Sequence, residues 1–117
     1  VATRRSPREG VLPPAEHLRI LALDVTDEES IARAIEDAGP LDVLVNNAGI
    51  AGPTAPVQDI NPEEWRTTVG VNLNGAFYCT RLAVPLLQAA DQASIINISS
   101  VSGRLGFVLR LPYASTK

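Results

Sequence analysis

The 117-residue sequence has no methionine, one cysteine, one histidine and one lysine. Because Cys79 is alone, the chain cannot form an internal disulfide bond and has no cysteine-based metal site. His17 is also alone, which excludes paired-histidine zinc sites. No apolar run reaches the ~20 residues of a membrane-spanning helix, and no signal peptide is recognisable. We therefore expect a soluble chain in a reducing compartment, most simply the cytoplasm, with no bound metal and no membrane partner.

Net charge is also small, because 10 basic residues face 13 acidic ones. This balance provides no basic surface of the kind that nucleic acids need, so we expect no nucleic-acid partner. The hydrophobic fraction of 45% is that of an ordinary globular chain. A chain without methionine whose only lysine is its last residue, Lys117, is expected to be an internal piece of a larger domain.

Short apolar runs alternate with helical patterns along the chain. The runs are solidly aliphatic, which predicts buried strands of a parallel sheet covered on both faces. We expect an open, doubly wound, Rossmann-like sheet in a three-layer α/β/α arrangement, incomplete within residues 1–117. A complete sheet of this type has six strands, whereas strands are predicted here only at residues 1–3, 18–25, 41–45 and 94–98.

Two helix starts carry capping signals. Thr26 and Glu29 fit a capping box, with Thr26 as the N-cap of a helix that stops at residues 39–40. Asn61 followed by Pro62 predicts a second start, and its helical pattern continues to about residue 90 with a break near Gly70. A last helix is expected to open at residue 112, after a loop over residues 99–111.

Small and polar residues follow the predicted strands, at the edge where ligands bind in open α/β sheets. They are Asp24 and Val25, residues 46–49, and Ser99 and Ser100. Taken singly, each group could be polar only because a strand meets a turn there.

Tyr113 and Lys117 are four residues apart, which places them on one face of a helix. A free tyrosine is a poor acid or base at pH 7 because its pKa is about 10. A cation one turn away stabilises the phenolate, and such a tyrosine can exchange a proton with a carbinol or carbonyl oxygen. By itself this pair also fits a solvated helix face.

The ordered motifs LDVLVNNAG, VNLNGAF, IINISSVSG and YASTK together resemble the short-chain dehydrogenase/reductase family, including its 3-oxoacyl reductases. The resemblance implies hydride exchange between a nicotinamide and a carbinol or carbonyl carbon. Tyr113 matches the catalytic acid/base, and Lys117 matches the lysine that favours its ionised form and binds the nicotinamide ribose. Ser100 matches the serine that holds the substrate oxygen, with Ser99 as the fallback, and Asn72 matches the asparagine that holds a relay water.

The same resemblance implies which residues lie along the cofactor. Asp24 and Val25 match the pair at the adenine pocket, and Asn47, Ala48 and Gly49 match the stretch beside the cofactor, while Asn46 braces the central strand. Arg4 and Arg5, with no acid beside them, favour NADP over NAD, although they also fit a solvated basic loop. The family's glycine-rich phosphate-binding turn is absent from the sequence, as is the part that follows the lysine.

The resemblance also bears on the substrate and on subunit contacts. The resemblance implies a small ketone or alcohol, with Phe107, Leu109 and Leu111 as a partly apolar wall and Arg104 and Arg110 as possible anion contacts. The long helix from about Asn72 could form a homodimer or homotetramer contact, as in the family. A second hypothesis stays open, in which the 117-residue chain is an inactive remnant with a structural or interaction role.

Overall fold

The computed structural model describes residues 1–5 and 16–117. The Arg, Pro and Gly content of residues 4–14 predicts a loop, most of which lies outside the described residues. Four short strands are present: β1 (Ala2–Arg4), β2 (Ile20–Ala22), β3 (Val43–Asn46) and β4 (Ser94–Asn97). Each overlaps a predicted apolar run and is the same length or shorter, while β1 and β3 extend one residue beyond their runs, to Arg4 and Asn46.

The described strands form two parallel pairs. Strand β1 pairs with β2, and β3 pairs with β4 in a register that sets Val43 opposite Ser94. In the doubly wound order 3-2-1-4-5-6, the two pairs correspond to positions 3-2 and 4-5. The central position between β1 and β3 is a groove of about 400 Å³ whose apolar walls include Val1, Leu23 and Val45. The described residues therefore form an incomplete parallel α/β sheet.

Helices follow the strands as the alternating pattern predicts. They are α1 (Glu28–Ala38), α2 (Pro62–Val69), α3 (Gly75–Gln88) and α4 (Leu111–Thr116), with a π-helical turn at Gly70–Asn74 and 3-10 turns at Val57–Asp59 and Val101–Gly103. The π-helical turn is the break predicted near Gly70. Among the described residues, no helix combines the length and the apolar character needed to cross a bilayer.

The core lies where α1 packs against α3 beneath β2 and β3. Val25, Ile31, Val71 and Cys79 are its buried apolar members. Burying such side chains contributes on the order of 1.5–3 kcal/mol each. This packing anchors the π-helical turn, and with it Asn72, to the sheet.

The helix caps agree with the sequence in one case and differ in the other. Asn61 caps α2, and its Oδ1 accepts a hydrogen bond from the backbone N–H of Glu63 at 2.8 Å. The prediction that Thr26 caps α1 is wrong, because Asp27 is the N-cap and accepts from the backbone N–H of Glu29 at 3.0 Å. The Thr26 hydroxyl instead donates to the carboxylate of Asp24 at 2.7 Å.

The prediction of fully buried strands is also wrong for the described residues. All four residues of β4 are exposed, and Val43 and Val45 of β3 are 50% and 52% exposed. Helix α3 packs against β3 and β4, yet these strand residues stay exposed in the part of the chain that the structure describes. Their aliphatic composition fits a sheet covered on both faces, so the exposed area marks where further cover belongs.

Candidate active site

A cleft of about 350 Å³ lies at the carboxyl ends of β3 and β4. Because β3 and β4 are parallel, the loops that follow them emerge at the same edge of the sheet. Helix α4 closes the side of the cleft. The lining residues are Asn47, Gly49, Ile50, Ala51, Ile98, Ser99, Arg110, Tyr113 and Lys117. The structure thus brings four of the predicted site residues, together with the fallback serine, into one cavity.

Tyr113 and Lys117 project from one face of α4 into this cleft, and both are half-buried. The ammonium of Lys117 donates a hydrogen bond to the backbone carbonyl of Ile98 at 3.1 Å, which ties the helix to the end of β4. Pro112 lies in the first turn of the helix, where its missing N–H costs no hydrogen bond. Tyr113 of α4 and Lys117, the residue at the C-terminal cap of that helix, therefore line the same cleft.

Gly49 lies directly beneath the lysine. A Cβ added at this position would be 3.0 Å from Nζ of Lys117 and 3.4 Å from Oδ1 of Asn72. The first distance is tighter than ordinary van der Waals contact, so a side chain at this position would require the ammonium to move by a few tenths of an ångström. The glycine in the NNAG motif is explained by this close approach.

Asn72 is 6% exposed and lies in the π-helical turn between α2 and α3. Its Oδ1 accepts from the backbone N–H of Ile50 at 2.8 Å, and its Nδ2 donates to the Ile50 carbonyl at 3.0 Å and to Oγ1 of Thr116 at 2.9 Å. Both Nδ2 hydrogens are therefore engaged with protein groups. The side chain joins the loop after β3 to helix α4, and π-helical turns of this kind are frequent at functional sites.

The two serines after β4 occupy different positions. Ser99 lines the cleft, and its hydroxyl donates to the backbone oxygen of Lys117. Ser100 is the N-cap of the 3-10 turn that follows, and its hydroxyl accepts from the backbone N–H of Ser102 at 3.3 Å. Ser100 is not among the residues that line the cleft.

The residues assigned to the adenine end lie at the carboxyl end of β2. Asp24 accepts hydrogen bonds from the side chain and backbone of Thr26 and forms an ion pair with Arg5, whose Nε is 3.1 Å from Oδ2. The Thr26 hydrogen bonds, with the Arg5 charge as a smaller contribution, lower the pKa of Asp24 below its ordinary value. Val25 is buried against Gly75, where an added Cβ would be 2.9 Å from the valine side chain.

The central groove and the cleft share one wall. Val25, Asn47 and Ala48 line the groove between β1 and β3, and Asn47 lines the cleft as well. Asn47 therefore lies between the groove, which occupies the central strand position of the sheet, and the cleft that Tyr113 lines. Asn46 braces the neighbouring strands as expected, because its Nδ2 donates to Oδ1 of Asn97 and to the hydroxyl of Thr80, each at 2.9 Å.

Of the two predicted cofactor arginines, the structure describes the side chain of Arg5. Arg4 is the last residue of β1, opposite Ala22 of β2, and its side chain lies outside the described parts of the chain. Arg5 is exposed and paired with Asp24. The prediction that no acid lies beside the arginines is therefore wrong. Arg5 and Asp24 are 19 positions apart in the sequence, but they meet because they follow adjacent strands.

Sequence reasoning missed the role of Thr116. Its hydroxyl is buried, donates to the Pro112 carbonyl at 2.8 Å and accepts from Asn72. The sequence indicates this role only through the position of a small polar residue between Tyr113 and Lys117. The burial of that side chain depends on the π-helical turn. Among the described residues, no three histidine, cysteine or acidic side chains converge as metal ligands.

The fold and cleft define an α/β protein with a tyrosine and a lysine at the carboxyl edge of a parallel sheet. The family model for "short chain dehydrogenase" matches residues 9–117. The chain belongs to this family, which confirms the resemblance in its motifs.

Three relatives show how far the likeness extends. The chain is 48% identical over 99 residues to trans-4-hydroxycyclohexanecarboxylate dehydrogenase of Sinomonas cyclohexanicum, covering 81% of this chain and 38% of the relative. A solved 3-ketoacyl-ACP reductase from Sinorhizobium meliloti is 38% identical, with a TM-score of 0.80 over 84% of this chain and 41% of that one. The closed form of serine dehydrogenase complexed with NADP+ is 31% identical, with a TM-score of 0.82 over 88% and 43%. These likenesses confirm the incomplete Rossmann-like fold.

Proposed function

We propose that residues 1–117 form the central part of one dinucleotide-binding oxidoreductase domain. The whole protein would transfer a hydride between a nicotinamide cofactor and the carbinol or carbonyl carbon of a small alcohol or ketone. The observation that carries this proposal is that Tyr113 and Lys117 line the same cleft at the strand ends. That the chain spans only 38% of a 48% identical dehydrogenase supports its place within a longer domain.

Tyr113 would be the acid/base. In alcohol oxidation the substrate O–H proton passes to the phenolate oxygen of Tyr113 while the carbinol C–H bond releases its hydride, and in ketone reduction both transfers reverse. When bound, the nicotinamide supplies the hydride acceptor or donor. The Lys117 ammonium stabilises negative charge on the phenolic oxygen and offers hydrogens to a ribose hydroxyl.

Three further residues would support the reaction. Asn72 holds the loop after β3 against α4, and one lone pair of its Oδ1 is left to accept a hydrogen bond from a relay water. Ser100 would hold the substrate oxygen, as the resemblance implies. Ser99 is the alternative, and its position in the cleft favours it in this structure.

The residues present fit an extended dinucleotide. Asp24 and Val25 would flank the adenine end at the carboxyl end of β2, and Asn47, Ala48 and Gly49 would pass beside the cofactor where the loop after β3 reaches the cleft. Gly49 leaves the backbone open beneath Lys117, as a close ligand approach requires. The pyrophosphate anchor is not among these residues, since the sequence contains no glycine-rich turn.

NADP is the favoured cofactor, with NAD as the alternative. Arg4 and Arg5 lie at the end of β1, and an arginine there can accommodate a 2′-phosphate. Arg5 would have to share its charge between that phosphate and Asp24. Comparing kcat/KM with NADPH and NADH tests this choice, and a clear NADH preference would contradict it.

We further propose a cytoplasmic homodimer or homotetramer. Leu73 in the π-helical turn and Phe77 near the start of α3 are 52% and 59% exposed and lie one turn apart. Such a surface suits a subunit contact. Cys79 is a free, buried thiol, which fits a reducing compartment.

The substrate class is supported by the names of the relatives. One is named for a cyclic hydroxy acid, one for serine and one for a 3-ketoacyl thioester, all of which carry or form a carbonyl group. The test is to incubate the full-length protein with NADPH and a panel of ketones and follow the loss of reduced cofactor. Turnover of at least one ketone is expected. If no ketone is reduced and no alcohol is oxidised, the hypothesis of an inactive structural piece replaces this proposal.

A further inference from the structure

Arg110 is the one arginine that lines the cleft beside Tyr113, among the residues that the structure describes. Its Cζ is 5.8 Å from the centre of the Tyr113 ring. Lys117 is the other cation of the cleft, and its ammonium donates a hydrogen bond to the Ile98 carbonyl. The cleft therefore holds a second positive group that the proton-transfer chemistry does not use.

The backbone next to this arginine is held by a hydrogen bond between two loops. Leu109 has a positive φ of 62°, which is uncommon for a residue with a side chain. Its carbonyl accepts from the backbone N–H of Ala55 at 3.1 Å, so the loop before α4 is tied to the loop after β3. Strain of this kind persists where surrounding contacts hold it, and it is found most often at functional sites.

The guanidinium is positioned but not neutralised. Its Nη1 donates to the hydroxyl of Thr54 at 2.6 Å. In residues 1–5 and 16–117, no carboxylate lies within ion-pair distance of it, whereas Arg5, Arg33, Arg66 and Arg81 each have an acidic partner. A guanidinium has five N–H donors in a planar fork, so a free edge remains to bind an anion.

We infer that Arg110 binds a carboxylate of the substrate and that this enzyme acts on hydroxy acids or the corresponding oxo acids. The inference rests on the proposed function. A substrate whose carboxylate is bound by Arg110 presents its other polar end to Tyr113, where the carbinol proton is exchanged. The apolar walls formed by Ile50 and Ala51 suit the hydrocarbon between the two ends.

The test compares two alcohols that differ only in charge. The full-length enzyme is assayed with trans-4-hydroxycyclohexanecarboxylate and with the matching carboxamide, in the wild type and in the variants Arg110→Gln, Arg110→Lys and Arg104→Gln. Arg104 is exposed and does not line the cleft, so it controls for loss of surface charge. Arg110→Lys keeps the charge but loses the planar fork.

We expect the wild type to prefer the acid. Arg110→Gln should lower kcat/KM for the acid on the order of 10- to 100-fold, as the loss of a charge-assisted hydrogen bond does, with little change for the amide. Arg110→Lys should keep part of the preference, and Arg104→Gln should keep all of it.

The possible failures are distinguishable. A wild type that oxidises both alcohols equally well, or an Arg110→Gln variant that loses both activities in parallel, would overturn the inference and leave the proposed function intact. Absence of turnover with these alcohols and with every ketone of the panel would overturn both. Competitive inhibition by cyclohexanecarboxylate, weakened in Arg110→Gln but not in Arg104→Gln, provides a second readout.

Discussion

The hydroxyl of Thr116 connects Asn72 to the helix that carries Tyr113 and Lys117, and replacing it with valine tests that connection. Valine keeps the branched shape of threonine but cannot accept the hydrogen bond from Asn72 Nδ2 at 2.9 Å or donate to the Pro112 carbonyl at 2.8 Å. Because Thr116 and Asn72 are only 9% and 6% exposed, water cannot replace the missing partner easily.

An unsatisfied buried polar group costs about 1–3 kcal/mol. We therefore expect Thr116→Val to lower the free energy of unfolding of the full-length protein by about that amount in urea denaturation. Turnover should fall as well, because Asn72 no longer holds α4 in register with the loop after β3. Thr116→Ser retains the hydroxyl and should behave almost like the wild type.

Thr67 provides the matched control. Its hydroxyl also bonds to the carbonyl four residues earlier in its helix, at 2.8 Å to Glu63, but the residue is exposed. Thr67→Val should change stability by no more than about 0.5 kcal/mol, as surface substitutions usually do. The reasoning is refuted if Thr116→Val costs no more than Thr67→Val, or if turnover is unchanged.

Three further predictions follow from single contacts. Gly49→Ala should displace the Lys117 ammonium and lower kcat. Gly106→Ala should leave kcat unchanged, because an added Cβ there has no atom within 4 Å. Equal kcat values in the two variants would contradict the close approach of Gly49 to Lys117. The pKa of Asp24 is lower in the folded protein than in the unfolded chain. Its carboxylate therefore stabilises the folded state at pH values above the unfolded-state pKa of about 3.9, and this stabilisation is lost as the pH falls through the folded-state pKa. Denaturation series should therefore show Asp24→Asn less stable than the wild type at neutral pH, with the gap closing in acid; a gap independent of pH would argue against it. Phe77→Asp should reduce the mass measured by light scattering, and an unchanged mass would remove α3 from the subunit contact.

The sequence predicted elements well where local chemistry decides the outcome. Asn61 and Pro62 specify a helix start through hydrogen bonds within one turn, and the start is found there. The break near Gly70 follows from the same local reasoning. The sequence does not decide the N-cap of α1, because Thr26 and Asp27 are both good caps. The structure favours Asp27, since the hydroxyl of Thr26 donates to Asp24 instead.

The sequence does not predict which residues of the site contact one another across the fold. The NNAG motif marks a turn, but only the fold shows that its glycine lies beneath Lys117. The ion pair between Arg5 and Asp24 depends on the pairing of β1 with β2. The motifs therefore predicted which residues take part, whereas packing determines what each side chain contacts.

The central claim is that Tyr113 exchanges the proton with the substrate oxygen, and Tyr113→Phe tests it most directly. Tyr78 is the only other tyrosine of the sequence, lies on α3 and does not line the cleft, so Tyr78→Phe is the matched control. In the full-length enzyme, Tyr113→Phe should lower kcat by about 10²–10⁴-fold while NADPH affinity, measured by fluorescence titration, stays nearly unchanged. Tyr78→Phe should retain activity. Undiminished turnover in Tyr113→Phe would contradict the account.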